Sequence, residues 1–286
     1  MGIERRQLAS RLMTASVGVP ITVVCALVGG IPFLLAMNLV IGAGLFEFYR
    51  MMEAKGIKPY KAVGVAAGLG VSWYVYFLGG VFSSLFITLV LIGVMTMELF
   101  RKDGELAVFH ISTTIFGVFY VAWLGSHTIL LRQLGESVVG MDLGRGLVGT
   151  DFGGFFVILA FGLAWGADTG AYFIGNAVGK RKLLPRVSPG KSVEGAIGGL
   201  VVSVIVALVA RVTIVPLLTV VDALILGVTA PIMAVLGDLV ESLMKRDVRI
   251  KDTSHALPGH GGMLDRFDSV LFVAPLVYYY LRFLVV

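Results

Sequence analysis

The stretch GAIGGLVVSVIVALVA, residues 195–210, contains no charged side chain and a single hydroxyl group, that of Ser203. A helix needs about 20 largely apolar residues to cross the hydrocarbon core of a bilayer. Runs of this kind recur along nearly the whole chain, and the short alternating segments typical of a membrane β-barrel are missing. The pattern predicts an all-α, polytopic membrane protein.

The composition agrees with this fold class. Hydrophobic residues make up 57% of the 286 residues and charged residues 14%, whereas soluble domains carry about 25% charged residues. About nine transmembrane helices fit the pattern. They are predicted near residues 13–30, 31–49, 62–79, 81–98, 107–131, 153–178, 193–210, 216–243 and 268–285.

The N-terminal segment has a basic start and an apolar core, as a secretory signal does. A second apolar run begins at Ile31, and no convincing small-residue cleavage site precedes it. We therefore interpret the segment as a retained first helix. The single cysteine, Cys25, lies inside that helix, so an internal disulfide and a cysteine-based metal cluster are not expected.

The distribution of basic residues predicts the orientation in the membrane. With a cytoplasmic N-terminus and alternating helices, the C-terminus lies on the outer side, and most basic residues fall in cytoplasmic loops. Only four of the 23 Lys and Arg residues then lie outside, namely Arg132, Arg145, Arg211 and Arg282. The net charge of +5 is therefore explained by topology and does not indicate nucleic-acid binding. A bacterial inner membrane is favoured.

Polar residues cluster around the predicted sixth and seventh helices. Asp168 lies within the sixth, where a lone carboxylate costs about 2.5–3.5 kcal/mol on insertion scales. We expect it to face a polar cavity, and the alternative is an acid satisfied by a neighbouring helix. Ser192 is predicted to cap the next helix, with Glu194 in its first turn and Lys191 before it, which suits a phosphate. An ordinary capped helix behind a basic loop remains the alternative, and Pro185 excludes a P-loop.

A third polar group surrounds the predicted eighth and ninth helices. At 3.6 residues per turn, the side chains of Asp238, Glu241, Ser242 and Lys245 fall on one face of the eighth helix. The loop after it runs through two consecutive glycines to an acidic and basic group at the start of the last helix. That loop contains Gly261, Gly262, Asp265, Arg266 and Asp268.

This mixture of residue types suits a metal–phosphate site. Carboxylates hold Mg²⁺, which completes its shell with water and phosphate oxygens. Lys and Arg neutralise phosphate charge, and glycines let the backbone approach an anion closely. His260 could donate to a phosphate or have a structural role, and the histidines lack the HExxH spacing of zinc peptidases. The residues predict metal-assisted phosphoryl or nucleotidyl transfer at a membrane surface.

The segment from Ser242 to Asp268 closely resembles the signature of phosphatidate cytidylyltransferases, also called CDP-diacylglycerol synthases. The signature S-x-x-K-R-x4-K-D-x-(small)-x2-L-P-x-H-G-G-x-x-D-R-x-D is met at every fixed position. These positions are Ser242, Lys245, Arg246, Lys251, Asp252, Ser254, Leu257, Pro258, His260, Gly261, Gly262, Asp265, Arg266 and Asp268. Residues 168–172 and 188–195 are also similar to the family, although Gly190 stands where a second lysine is expected.

The resemblance implies a Mg²⁺-dependent reaction of CTP with phosphatidate that gives CDP-diacylglycerol and pyrophosphate, and it allows a second cation. It implies Asp238 and Asp265 as metal ligands, with Asp168 and Asp268 in support. The remaining implied catalytic residues are Lys245, Arg246, Lys251, Asp252, His260 and Arg266, and the implied substrate-binding residues are Lys191, Ser192, Glu194, Ser242, Gly261 and Gly262. The catalytic region would be residues 151–286, behind an N-terminal helical region of residues 1–150, in a homodimer.

Three other functions are compatible with some of these features. A CDP-alcohol phosphatidyltransferase would carry D-G-x2-A-R-x8-G-x3-D-x3-D, which is not found in the chain. A CTP-dependent polyprenol kinase would also use CTP at a membrane, but it would release CDP. A cation-coupled transporter could use Asp168 and Asp238 as relay acids, but it would need access from both faces, whereas the charged residues are expected on one face.

Overall fold

The computed structural model describes residues 16, 18–79, 83–102, 105–139, 151–254 and 261–286, and this part of the chain is almost entirely helical. A π-helical segment, Val118–Trp123, joins two of the helices into one continuous helix, and a second, Leu281–Val285, follows the last helix. The helices are α1 (Gly18–Val28), α2 (Gly30–Glu53), α3 (Lys61–Leu78), α4 (Ser83–Leu99), α5 (Ala107–Gly117), α6 (Leu124–Ser137), α7 (Gly153–Val178), α8 (Val193–Thr213), α9 (Val220–Asp247) and α10 (Leu264–Tyr280).

Most of these helices could cross a membrane. Within the described residues, seven helices are long and apolar enough, counting α5 and α6 as one, and Gly18–Val28 and Leu85–Leu99 are shorter apolar helices. The first predicted span, near residues 13–30, lies partly outside the described residues and overlaps α1, and each of the other predicted spans coincides with one of these segments to within a few residues. The all-α polytopic fold is confirmed, while the number of crossings and the orientation of the termini stay predictions.

The last two helices extend beyond their predicted bounds. Helix α9 continues to Asp247, and α10 begins at Leu264, although residue 243 and residue 268 were the expected limits. Charged residues at both ends explain the difference, because Lys245 and Arg246 favour the C-terminal turn of a helix and Asp265 favours the N-terminal turn. Apolar periodicity alone underestimates helices whose ends leave the hydrocarbon region.

By their internal contacts, the described residues fall into two compact units. The first comprises the described residues within 1–22, 30–130 and 247–266, and the second comprises those within 23–29, 131–246 and 267–286. This grouping follows contacts, whereas the predicted boundary at residue 150 follows the order of the chain. In the first unit, the buried phenol of Tyr49 in α2 donates a hydrogen bond of 2.7 Å to the carbonyl of Thr114 in α5.

The second unit is built on the close packing of α7 against α8. A side chain at Gly199 would bring its Cβ within 2.6 Å of the carbonyl oxygen of Ala167, so only glycine permits this approach. Small residues are used in this way between membrane helices, where backbone proximity gives van der Waals contact. A two-stranded antiparallel hairpin connects the helices, with β1 (Lys182–Leu184) paired to β2 (Ser188–Ser192).

Candidate active site

Three aspartates come together in the second unit, one from each of three helices. Asp168 belongs to α7, Asp238 to α9 and Asp268 to α10, and both other carboxyl groups interact electrostatically with Asp168. Asp268 is buried, and one of its oxygens accepts a hydrogen bond of 2.6 Å from the backbone amide of Ser269. The structure thus brings three of the four predicted metal ligands, Asp168, Asp238 and Asp268, together in this unit.

Two lysines are paired with acids of this unit. The Nζ atom of Lys191, on β2, lies 2.6 Å from Oδ2 of Asp238, and the hydroxyl of Ser242 donates to Oδ1 of Asp238 at 3.1 Å. One turn along α9, Nζ of Lys245 lies 3.4 Å from Oε1 of the fully buried Glu241. The two contacts within α9, Asp238 with Ser242 and Glu241 with Lys245, have the i, i+4 spacing of neighbours on one helix face. The predicted polar face of α9 therefore exists.

The start of α8 has the expected cap. The side chain of Ser192 accepts a hydrogen bond of 3.1 Å from the amide of Gly195. Glu194 has a further role that the sequence did not reveal, because its carboxylate accepts hydrogen bonds from the backbone amides of Lys180 and Arg181 at 3.0 and 3.2 Å. Glu194 thereby holds the entry to the hairpin that carries Lys191.

In the first unit, Asp265 is oriented by residues 253–254 and 261–264, which are called the loop from here on. Its Oδ2 accepts hydrogen bonds from the amide of Gly262 at 2.8 Å and from the amide and hydroxyl of Thr253 at 3.0 and 2.9 Å. Gly261 has a φ of +81°, in the left-handed region that favours glycine. The two consecutive glycines are therefore explained by the approach of the backbone to a carboxylate of the chain itself.

Glu47, in α2, is a site residue that the sequence reasoning missed. Its side chain is buried, and it accepts hydrogen bonds from Thr253, Ser254, Met263 and Leu264. A signal was present, because Glu47 is an acid inside a predicted span, although it lies near the end of that span, where the insertion cost is smaller than at the centre.

The other predicted site residues differ in their surroundings. The side chains of Lys251, Asp252 and Arg266 are exposed in the first unit. Arg246 is exposed in the second unit, and its Nε donates to the carbonyl of Val187 at 3.4 Å, which attaches it to the hairpin. His260 lies outside the described residues.

The carboxylates of the site are possible ligands of a metal ion. Within the described ranges, no group of three or more His, Cys, Asp or Glu side chains is arranged to hold a metal ion. Mg²⁺ does not require such a group, because it binds through one or two carboxylates and keeps water and phosphate oxygens for its other positions. The aspartates therefore fit Mg²⁺ by the chemistry of their oxygens, as ligands that share the ion with a phosphate.

Comparison with known proteins decides the family. A sequence profile of the Cytidylyltransferase family matches residues 9–284. The chain belongs to this family. Similar curated proteins include phosphatidate cytidylyltransferases from Synechocystis sp., 33% identical over 94% of this chain and 95% of the relative, and from Bacillus subtilis, 29% identical over 95% and 96%. A third, from Haemophilus influenzae, is 46% identical over 45% of this chain and 46% of the relative.

Family membership confirms the resemblance seen in the signature and extends it to nearly the whole chain. The cytidylyltransferase match includes α2, so Glu47 lies within the family region as well. The protein is an enzyme, a CTP-using nucleotidyltransferase whose apolar helices place it in a membrane.

Proposed function

We propose that the protein is a phosphatidate cytidylyltransferase, which transfers the CMP moiety of CTP to phosphatidate in phospholipid biosynthesis. The observation that carries the proposal is the ion pair of Lys191 with Asp238, beside Asp168 and Asp268, on elements of a membrane-spanning unit. A site for a lipid phosphate needs charged groups that the phosphate can reach from the leaflet, because phosphatidate stays in the membrane. The full-length relatives that bear this name support the same activity.

The reaction is a substitution at the α-phosphorus of CTP. A phosphate oxygen of phosphatidate forms a bond to this phosphorus, and the bond from the α-phosphorus to the oxygen bridging to the β-phosphate breaks. CDP-diacylglycerol forms and pyrophosphate leaves with the electron pair. The attacking phosphate is anionic at neutral pH, so a strong general base is not required. Catalysis then consists of positioning and of neutralising charge.

The lysines and carboxylates have complementary roles in this scheme. Before CTP binds, Lys191 is neutralised by Asp238, and an incoming phosphate would compete for the same ammonium group. Bidentate binding of phosphate oxygens is the expected role of Arg246 and Arg266. The proposed ligands of Mg²⁺ are Asp238, with Asp168 and Asp268 beside it, and Asp265, which its loop orients. When bound, the ion neutralises phosphate charge.

A labelled-substrate assay tests the function. Purified protein in detergent is incubated with CTP labelled at the α-phosphate, phosphatidate and Mg²⁺. We expect label in a lipid product, one pyrophosphate per lipid, and loss of the reaction when EDTA removes the ion. Label appearing as CDP would identify a kinase, and label remaining in CTP would contradict both enzymatic readings.

A matched pair of variants tests the site itself. We expect Asp238→Asn to abolish transfer, while Asp222→Asn, which removes an acid from the first turn of the same helix, keeps it. Asp222 accepts hydrogen bonds from Thr219 and Tyr280, so its contribution is structural. Activity of Asp238→Asn near that of the unaltered protein would remove Asp238 from the site.

The setting of the enzyme is part of the proposal. We expect a homodimer in the bacterial inner membrane with the active site facing the cytoplasm. Cysteine labelling from either side of sealed vesicles tests the orientation, and light scattering in detergent tests the oligomeric state.

A further inference from the structure

We propose that Glu47 is a positioning residue, which holds the loop that orients Asp265. The inference about the loop stands on contacts within the first unit. Its consequence for catalysis rests on the proposed function, in which Asp265 binds Mg²⁺. Glu47 lies in α2, and the exposed fraction of this residue is 3%.

The carboxylate of Glu47 binds both described parts of the loop, residues 253–254 and residues 263–264. Its Oε1 accepts hydrogen bonds from the hydroxyl of Ser254 at 2.5 Å and from the amide of Met263 at 3.0 Å. Its Oε2 accepts from the hydroxyl of Thr253 at 3.2 Å and from the amide of Leu264 at 2.8 Å. Each oxygen thus receives one hydroxyl and one backbone amide, and one side chain joins residues 253–254 to residues 263–264.

Asp265 depends on the same residues. The hydroxyl of Thr253, which has a single hydrogen, lies 3.2 Å from Oε2 of Glu47 and 2.9 Å from Oδ2 of Asp265. A Cβ on Gly262 would clash with that hydroxyl and lie 2.5 Å from Oε2 of Glu47. The loop is therefore built around the two carboxylates together, and displacement of the first displaces the donors of the second.

The substitution Glu47→Gln is a specific test of this arrangement. Because each oxygen of Glu47 accepts one backbone amide, either orientation of a glutamine side chain sets its NH₂ group against an N–H donor. A hydroxyl can rotate to adapt, but a backbone amide cannot. The variant keeps the size of the side chain and loses one amide hydrogen bond to a charged acceptor.

The first measurement is hydrogen exchange of the full-length protein in detergent. We expect the amides of Gly262, Met263 and Leu264 to exchange roughly tenfold faster or more in Glu47→Gln, the factor that corresponds to loss of a hydrogen bond to a charged group. Glu53→Gln is the matched control, because Glu53 lies on the same helix and forms a half-exposed pair with Lys61 at 2.8 Å. The control should exchange as the unaltered protein does.

The second measurement separates positioning from a general loss of stability. We expect the Mg²⁺ concentration for half-maximal transfer to rise roughly tenfold in Glu47→Gln, with a smaller change in kcat at saturating Mg²⁺. A merely structural role would lower the yield of folded protein and leave the Mg²⁺ dependence unchanged. Unchanged exchange, or an unchanged Mg²⁺ dependence, would overturn the proposal.

The proposal can still be decided if the variant does not accumulate or if the unaltered protein is inactive. If Glu47→Gln does not accumulate, Thr253→Val removes the shared hydroxyl, and we expect changes of the same kind but smaller. An unaltered response of Thr253→Val would then overturn the inference. If the unaltered protein transfers no label, the proposed function fails, while the exchange of the loop amides still decides whether Glu47 holds the loop.

Discussion

Lys191→Met removes the ammonium group beside Asp238 and keeps a side chain of similar length. The pair is partly buried, since the exposed fractions of the two side chains are 23% and 29%, and its N–O distance is 2.6 Å. Removing one partner costs about 3–5 kcal/mol in a buried pair, whereas an exposed pair contributes about 0–1 kcal/mol. For this partly buried pair we therefore expect an intermediate cost, and Lys191→Met should lower the free energy of unfolding by about 2 kcal/mol.

The kinetic result depends on the contact of Lys191 with the incoming triphosphate, which has the same order of magnitude, because a hydrogen bond to a charged group contributes about 1.5–3 kcal/mol. Without Lys191, Asp238 presents uncompensated negative charge to the incoming triphosphate, so kcat/KM for CTP should fall. At 1.4 kcal/mol for each factor of ten, about 2 kcal/mol corresponds to a loss of roughly 30-fold. The assay is transfer of α-labelled CMP to phosphatidate over a series of CTP concentrations.

Lys182→Met is the control, because Lys182 is exposed on β1 and pairs in register with Ser192, next to Lys191. It removes the same charge from the same hairpin, and we expect kcat/KM to stay within about twofold, as for an exposed charge. If Lys191→Met retains the kcat/KM of this control, the ion pair has no part in CTP binding and the reasoning is refuted.

Two predictions concern stability, measured by thermal unfolding in detergent. Gly199→Leu should destabilise the protein by about 1–3 kcal/mol or more, because its side chain overlaps the carbonyl of Ala167. Gly190→Ala should be neutral, since no atom lies within 4 Å of the added Cβ. Ser192→Ala should lower the free energy of unfolding by about 1 kcal/mol through loss of the cap on Gly195, and Ser192→Thr should restore most of it. Equal unfolding temperatures for Ser192→Ala and Ser192→Thr would contradict the capping role.

Local patterns in the sequence were sufficient for the helices, for the cap of α8 and for the polar face of α9. The helical spans follow from apolar runs, the cap at Ser192 from its position before such a run, and the face shared by Asp238 and Ser242 from the helical period. All three depend on residues a few positions apart, so the sequence contains the needed information directly.

The contacts of Glu47 and Glu194 could not be derived in the same way. Thr253 and Leu264 are 206 and 217 positions from Glu47, so no local pattern connects them. The insertion cost of Glu47 could have identified it as unusual, but not its partners. Glu194 suited the first turn of α8 by charge, whereas its hydrogen bonds to Lys180 and Arg181 depend on a short hairpin that has no apolar period.

The distance along the chain between Glu47 and its donors has a consequence for biosynthesis. At about 5–20 residues per second, the ribosome needs roughly 10–40 s to make the residues that separate Glu47 from Leu264. During that interval α2 carries a carboxylate whose final donors do not yet exist. Until then this group must stay hydrated or bonded elsewhere, since a buried charge without a partner is costly. The hydrogen bonds of Glu47 are therefore completed only after Leu264 has been synthesised.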